Sequence, residues 1–367
     1  MRVLHLYKDY YPVLGGVENH IRDLAEAQAR MGNEVTVLVT NDGPRTVSEE
    51  LHGVKVIKAG RLAVVSSTPL SPALPWILAR LRPDITHLHF PYPLGEVAQL
   101  LLGRNAHTVM TYHSDVVRQK RLLRLYKPLL WRVLHKTERI IATSPKYIRS
   151  SPFLSRLGDK CVVIPLGVDV SRFAQAPPQE VAAIRQRHGA PLLLFVGRLR
   201  YYKGLDFLIE AMPQIAAHLL IIGSGPKLGE WSALAAGLGV AERVHFVGEV
   251  PDEHLPAYYH AASIFVLPAT MRSEAFGTVL LEAMAAGTPV ISTELGTGTS
   301  WVNAHEETGL VVRPASALDL AAAANRLLRD ETARREMGRR AQERVRGEFS
   351  IEMMVQRVQN LYEELLR

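Results

Sequence analysis

The sequence predicts an α/β protein built from two doubly wound parallel-sheet domains in series. Short, continuous apolar runs alternate with helix-length segments, the pattern of strands buried on both faces and covered by helices. The runs fall into two series: Val3 to Leu6, Val35 to Val39, Ile85 to His89, Thr108 to Tyr112, Ile140 to Ala142 and Val162 to Ile164, then Leu192 to Val196, Leu219 to Ile222, Val244 to Val247, Ile264 to Leu267 and Val290 to Ser292. Between them, from Gly167 to Gly189, proline, glycine and charge interrupt the apolar periodicity. The expected domains are 1–168 and 169–348. The segment 349–367 reads as an amphipathic helix.

At 367 residues and 47% hydrophobic content the chain has the material for two ordinary cores. Its single cysteine, Cys161, cannot form an intramolecular disulfide and sits in the apolar stretch CVVIP as a small hydrophobe. A reducing, cytoplasmic location is expected, with contact at the inner face of the plasma membrane as an extension. The opening MRVLHLYKDYYP reads as a first strand and not as a leader. No apolar run approaches the roughly 18 residues of a spanning helix. The net charge of +7 favours anionic partners, whether nucleotides, polyanions or a membrane surface.

After the first strand, a loop ends in Gly15 and Gly16 and a helix follows. This is either a tight turn or a backbone surface that a ligand approaches closely, with helix N–H groups turned to it. His87 and His89 lie at strand spacing, so both point to one side of the sheet. Spacing suggests no third metal ligand, and core or cleft histidines are the preferred reading. His113, just beyond the next strand, can hydrogen-bond a hydroxyl or a backbone group. From Val116 to Arg139, Leu122, Leu123, Tyr126, Leu129, Leu130, Val133 and Leu134 recur at helical spacing beside Arg118, Lys120, Arg121, Arg124, Arg132 and Lys136, and Pro128 is expected to break the segment into two helices. Its basic face is either simply solvated or rests on anionic lipid.

In the second series, Gly197, Arg198 and Lys203 follow a strand and precede a helix. The stretch LLIIGSGP enters a glycine-rich turn at Gly223, and VHFVGEV leads to Val250. Next, SIFVLPATMRSEAFGTVLLEAMAAGTPVIST reads as strand, loop, helix and strand, with Glu274 in the loop and Glu282 in the second turn of a helix opening near Gly277. Between these carboxylates Phe276, Gly277 and Thr278 present backbone N–H groups to an anion. None of the glycine clusters has the G-x-G-x-x-G spacing of a dinucleotide site, which disfavours hydride chemistry.

The segment SEAFGTVLLEAMAAGTPVI resembles the Glu-x7-Glu motif of the retaining, nucleotide-sugar-dependent glycosyltransferases of family 4, and STELGTGTSWVNAHEETGLVV resembles their bacterial mannosyl- and rhamnosyltransferase branch of O-antigen assembly. The resemblance implies the GT-B fold, two Rossmann-like domains facing each other across a cleft, with the C-terminal helix packed back on the first. It implies that Glu274 faces the transferred sugar, that Glu282 holds the ribose hydroxyls, and that Gly197, Arg198 and Lys203 bind the donor diphosphate. It also places Gly15 and Gly16 against that diphosphate, His113 on the sugar, and the backbone near Val250 on the base. PLGVDVSRF resembles the family's hinge, with Asp169 as cap or tether.

The expected activity is retaining transfer of a hexose, mannose or rhamnose favoured, from a GDP-sugar to a lipid-linked or oligosaccharide acceptor. The donor is a substrate, and no cofactor is expected. With Arg198 and Lys203 as fixed cations and no Asp-x-Asp in the sequence, activity is expected without a metal. The alternatives are a UDP-sugar donor, a nucleotide-sugar 2-epimerase, and a noncatalytic polyanion-binding protein. Nucleic acid is not an expected partner.

Overall fold

The valine-, isoleucine- and leucine-rich runs become the central strands of two parallel sheets in a computed structural model, which describes residues 1–13, 15–65, 68–116 and 120–367, the side chains of 120–122 excepted. The chain divides into two units, residues 1–166 with 351–367, and residues 167–350. The break at Leu166 and Gly167 lies slightly before the boundary read from the sequence.

The first unit contains β1 (Arg2–Leu6), β2 (Glu34–Thr40), β3 (Val47–Leu51), β4 (Val54–Ala59), β5 (Ala63–Val65), β6 (Thr68–Leu70), β7 (Ile85–Phe90), β8 (His107–Tyr112), β9 (Arg139–Ala142) and β10 (Cys161–Val163). Its main sheet runs β10-β9-β8-β7-β1-β2-β4-β3. Only β3 is antiparallel in that sheet, and β5 and β6 pair separately as a hairpin. Val3, Ile85, Val109 and Ile141 pack from the sheet against Leu24 of the helix Gly16–Arg30 and against Met354, Val355, Val358, Leu361 and Tyr362 of the helix Ile351–Leu366. The last helix of the chain therefore completes the core of its first unit.

The second unit contains β11 (Leu192–Val196), β12 (His218–Ile222), β13 (Val244–Gly248), β14 (Ile264–Leu267), β15 (Val290–Thr293) and β16 (Gly309–Val312), in the order β13-β12-β11-β14-β15-β16. All its pairings are parallel. Strand order reverses direction between β11 and β14, so the loops leaving these two strands diverge and open a crevice at the carboxyl edge. In the first unit the corresponding reversal lies between β1 and β7.

Pro128 does not divide its segment. A single helix runs Lys120–Lys136 with the proline inside it and exposed. Its ring costs one backbone hydrogen bond, which a helix held by the buried Leu130, Val133 and Leu134 tolerates. Cys161 is half-buried, and that burial pushes its thiol up to about 11. Among the described residues no helix is long and apolar enough to cross a membrane.

Candidate active site

In the second unit the two loops at the reversal point are locked together by main chain. Gly204 adopts a left-handed φ of 64°, and a Cβ there would lie 2.1 Å from the Pro268 carbonyl oxygen, so only glycine lets the β11 loop lie against the exit of β14. Thr270 N–H donates to the Tyr202 carbonyl at 2.9 Å. This contact brings Lys203, at the end of the turn Tyr201–Lys203, to Glu274 in the loop after β14.

Lys203 Nζ lies 2.6 Å from Glu274 Oε2, and both residues are 8% exposed. Burial pushes the Lys203 ammonium down, but the charge and hydrogen bond of Glu274, with Tyr202 beside it, together outweigh burial and hold the group above its ordinary value. Glu282, in the helix Thr278–Ala285, also raises it. The Tyr259 hydroxyl donates to Glu282 Oε2 at 2.6 Å, which fixes the second carboxylate of the motif. Two acids thus bear on one buried ammonium.

The backbone around this pair is equally constrained. Thr297 Oγ1 donates to the Glu274 carbonyl at 2.9 Å, and Gly298 N–H donates to the Ala275 carbonyl at 2.7 Å. Phe276 is buried, Gly277 caps the helix at φ 79°, and the helix begins at Thr278. Its leading N–H groups have no intrahelical acceptor and suit an anion. Gly197, at φ 148°, sits so close to Gly223 that a Cβ on Gly223 would lie 2.2 Å from the Gly197 oxygen. Arg198 is exposed beside it, and Val250 is half-buried just past β13. Asp169 caps the short helix Val170–Phe173, accepting from Arg172 N–H at 3.2 Å.

In the first unit Gly15 is extended and Gly16 is the first residue of its helix, with the Glu18 carboxylate folded over Gly15. His113 is buried immediately after β8, and it is not alone. The register of β1 against β7 sets His5 opposite His87, and His89 follows on the same face. His113 Nε2 lies 3.0 Å from His89 Nδ1, His89 Nε2 lies 3.1 Å from His5 Nδ1, and His5 Nε2 lies 2.8 Å from Gln28 Oε1. His87 bridges the Tyr362 hydroxyl at 2.5 Å and Thr111 Oγ1 at 2.6 Å. His20 stands edge-on to His89 and His113, with its Nε2 buried and without a hydrogen-bond partner among the described residues.

Burial holds all five imidazoles neutral, pushing His5 down to about 4, His20 to about 3, and His87, His89 and His113 well below the usual histidine range. Two triads, His5 with His87 and His89, and His20 with His89 and His113, each bring ring nitrogens within 4.8 Å of one another. Neutral imidazoles of this kind are ligands for zinc, copper or nickel. Here four of the ten ring nitrogens already hydrogen-bond one another and three more are bonded to Gln28, Tyr362 and Thr111, and a metal would have to displace bonds of this kind.

Both halves of the chain match family models, residues 14–172 that of "Glycosyltransferase Family 4" and residues 178–344 that of "Glycosyl transferases group 1". The D-rhamnosyltransferase WbpZ of Pseudomonas aeruginosa is 39% identical over 95% of this chain and 92% of its own length. The O-antigen chain mannosyltransferase C of Escherichia coli is 37% identical over 100% of this chain and 99% of its own. The chain is a family 4 glycosyltransferase. Among solved structures, the sucrose-phosphate synthase of Thermosynechococcus elongatus superposes with a TM-score of 0.83 at 27% identity, covering 100% of this chain and 99% of that one. The fold of this glycosyltransferase is GT-B.

The sequence singled out His87, His89 and His113 one at a time, but gave no sign that His5, His20 and Gln28 join them. Those residues stand on β1 and its following helix, and only sheet register brings them to β7 and β8. The glycosyltransferase also pairs Lys203 with Glu274 directly, where the motif reading had assigned them to different parts of the donor. In the segment 116–139, Arg118 lies outside the described residues, as do the side chains of Lys120 and Arg121. Arg124 and Leu125 of that segment are exposed.

Proposed function

We propose that the protein transfers a hexose, mannose or rhamnose, from a GDP-sugar to a lipid-linked or oligosaccharide acceptor with retention at the anomeric carbon and without a metal. The observation that carries the reading is the buried Lys203–Glu274 pair at the β11/β14 reversal, with Glu282 held beside it by Tyr259. The donor and acceptor classes are supported by the names of the two bacterial relatives.

In this reading the bond from the anomeric carbon to the diphosphate oxygen breaks, and its electron pair leaves with the diphosphate. The acceptor hydroxyl forms the new bond on the same face and gives its proton to the departing phosphate. Lys203 and Arg198, with the amides near Phe276 to Thr278, take the charge that develops on the leaving group, the role fixed cations and oriented dipoles perform best in a dry site. An ammonium has three donors, so Lys203 can hold a phosphate oxygen while it keeps Glu274 in place. Glu274 positions the sugar and Glu282 the ribose hydroxyls. Gly15 and Gly16 approach the diphosphate, Gly197 and Gly223 shape the floor, the main chain at Val250 meets the base, and His113 meets the sugar.

The test is calorimetric titration of GDP and UDP into metal-free protein, followed by a transfer assay. Tighter binding of GDP supports the proposed donor, a preference for UDP replaces it, and binding of neither overturns the reading. The basic helix Lys120–Lys136, with Arg124, Leu125 and Lys127 exposed, is proposed to rest on anionic lipid and bring the protein to its acceptor. Charge reversal at Arg118, Lys120, Arg121 and Arg124 should weaken binding to anionic liposomes; unchanged binding removes this part.

A further inference from the structure

We infer that Gln28 sets the tautomer of His113 through His5 and His89, leaving Nδ1 of His113 as a hydrogen-bond acceptor for a hydroxyl of the sugar. The inference rests on the assignment of His113 to the sugar made above, but its first half stands on geometry alone. A neutral imidazole has one N–H and one lone pair, so in a chain of ring-to-ring bonds each ring fixes the next. Gln28 Oε1 can only accept, so His5 carries its proton on Nε2 and offers the lone pair of Nδ1. His89 must then donate from Nε2 and accept at Nδ1, and His113 must donate from Nε2. Its remaining nitrogen, Nδ1, is left bare.

The whole chain reverses if the Gln28 amide is turned, so the orientation of one amide is decisive. Gln28 Oε1 stands 2.8 Å from His5 Nε2, which turns the carbonyl side of the amide to the ring. Gln28 Nε2, on the far side, is buried without a hydrogen-bond partner among the described residues.

His113 Nδ1 has no hydrogen bond among the described residues. With a lone pair there, the residue accepts from a hydroxyl and offers nothing to a carboxylate or carbonyl oxygen. Gln28, His5 and His89 are positioning residues in this scheme. A site with a committed acceptor discriminates against a sugar lacking the matching hydroxyl, because the lone pair then loses that bond.

The experiment is heteronuclear NMR of protein labelled with 15N-histidine, with the His113 signals assigned by His113→Ala. The wild-type ring should show the Nε2–H tautomer. Gln28→Met, which removes the acceptor at similar volume, and His5→Phe should both populate the Nδ1–H form. Both should also lower kcat by about tenfold, the worth of one hydrogen bond, with GDP affinity unchanged. An Nδ1–H ring in the wild type, or an unchanged ring in both folded variants, overturns the relay. The stated tautomer with unchanged turnover in His113→Ala overturns the contact with the sugar. The ring signals are read without substrate, so absence of hexose transfer by the wild type would count against the proposed function and still leave the spectra to decide the relay.

Discussion

Lys203 Nζ and Glu274 Oε2 meet at 2.6 Å in a buried site, so neither residue can be removed without leaving the other's charge stranded. Single substitutions to alanine are therefore expected to destabilise the fold by about 3–5 kcal/mol as well as to remove activity. Replacing both, as Lys203→Met with Glu274→Gln, should recover most of that stability and none of the turnover. Chemical denaturation beside single-turnover assays separates the two effects, and a double variant that turns over normally would remove the pair from the reaction.

Glu282 takes a different part. Its carboxylate is oriented by the Tyr259 hydroxyl, and that phenol is buried and held far above its ordinary value. Tyr259→Phe should weaken nucleotide binding by about 0.5–1.5 kcal/mol, the worth of one hydrogen bond, with little change in kcat. Glu282→Ala should weaken it further. Calorimetry with GDP measures both.

On the proposed reading turnover should persist in excess chelator, with Lys203 and Arg198 serving where a divalent ion otherwise would. Loss of activity in chelator with recovery on adding magnesium would reverse this expectation.

Two sets of buried groups make stability depend on pH in opposite senses. The histidines have folded values far below the unfolded one, so below about pH 6.5 the unfolded chain binds more protons and stability falls as pH falls. Glu96 is reversed. Burial pushes its carboxyl up to about 7, against hydrogen bonds from Tyr126 and Tyr92, so its contribution is complete below about pH 4.5 and is lost as pH rises to about 7. Several histidines outweigh one glutamate in the acid range, and the net slope there should be positive. Up to about pH 7 the unfolded histidines still outweigh the glutamate, so its part is read as a difference between wild type and variant. Glu96→Gln should abolish a loss that amounts in total to about 3 kcal/mol between pH 4.5 and 7, measured by urea unfolding across that range.

The strands legible in the sequence were those whose apolar runs are continuous, most of them buried on both faces, with the half-buried edge strands β10 and β13 as exceptions. β3, with its sequence VSEEL, and β4, with VKVIKA, were not, because an edge of the sheet is half-solvated and its residues alternate or turn polar. β16 offers only GLVV, too short a run to register. At the site, residues close in sequence were legible: Glu274 and Glu282 stand on one loop and helix, and Gly277 announces the helix start. Contacts made across the sheet were not. Nothing in the spacing of His5, Gln28 and His89 reveals their bonds, and nothing in that of Lys203 and Glu274 reveals that Gly204 brings their loops into contact.

The helix Ile351–Leu366 has a consequence for synthesis. The core formed by Val3, Leu24, Ile85 and Val109 lacks Met354, Val358, Leu361 and Tyr362 until residues 351–366 have been made, so the unit whose strands are synthesised first is the later of the two to finish folding. Residues 167–350 are contiguous and can close their own sheet earlier. Truncation before Ile351 would leave the apolar side of β1 and β7 bare and His87 without its phenol partner, and a nascent chain in that state is a ready substrate for chaperones and proteases.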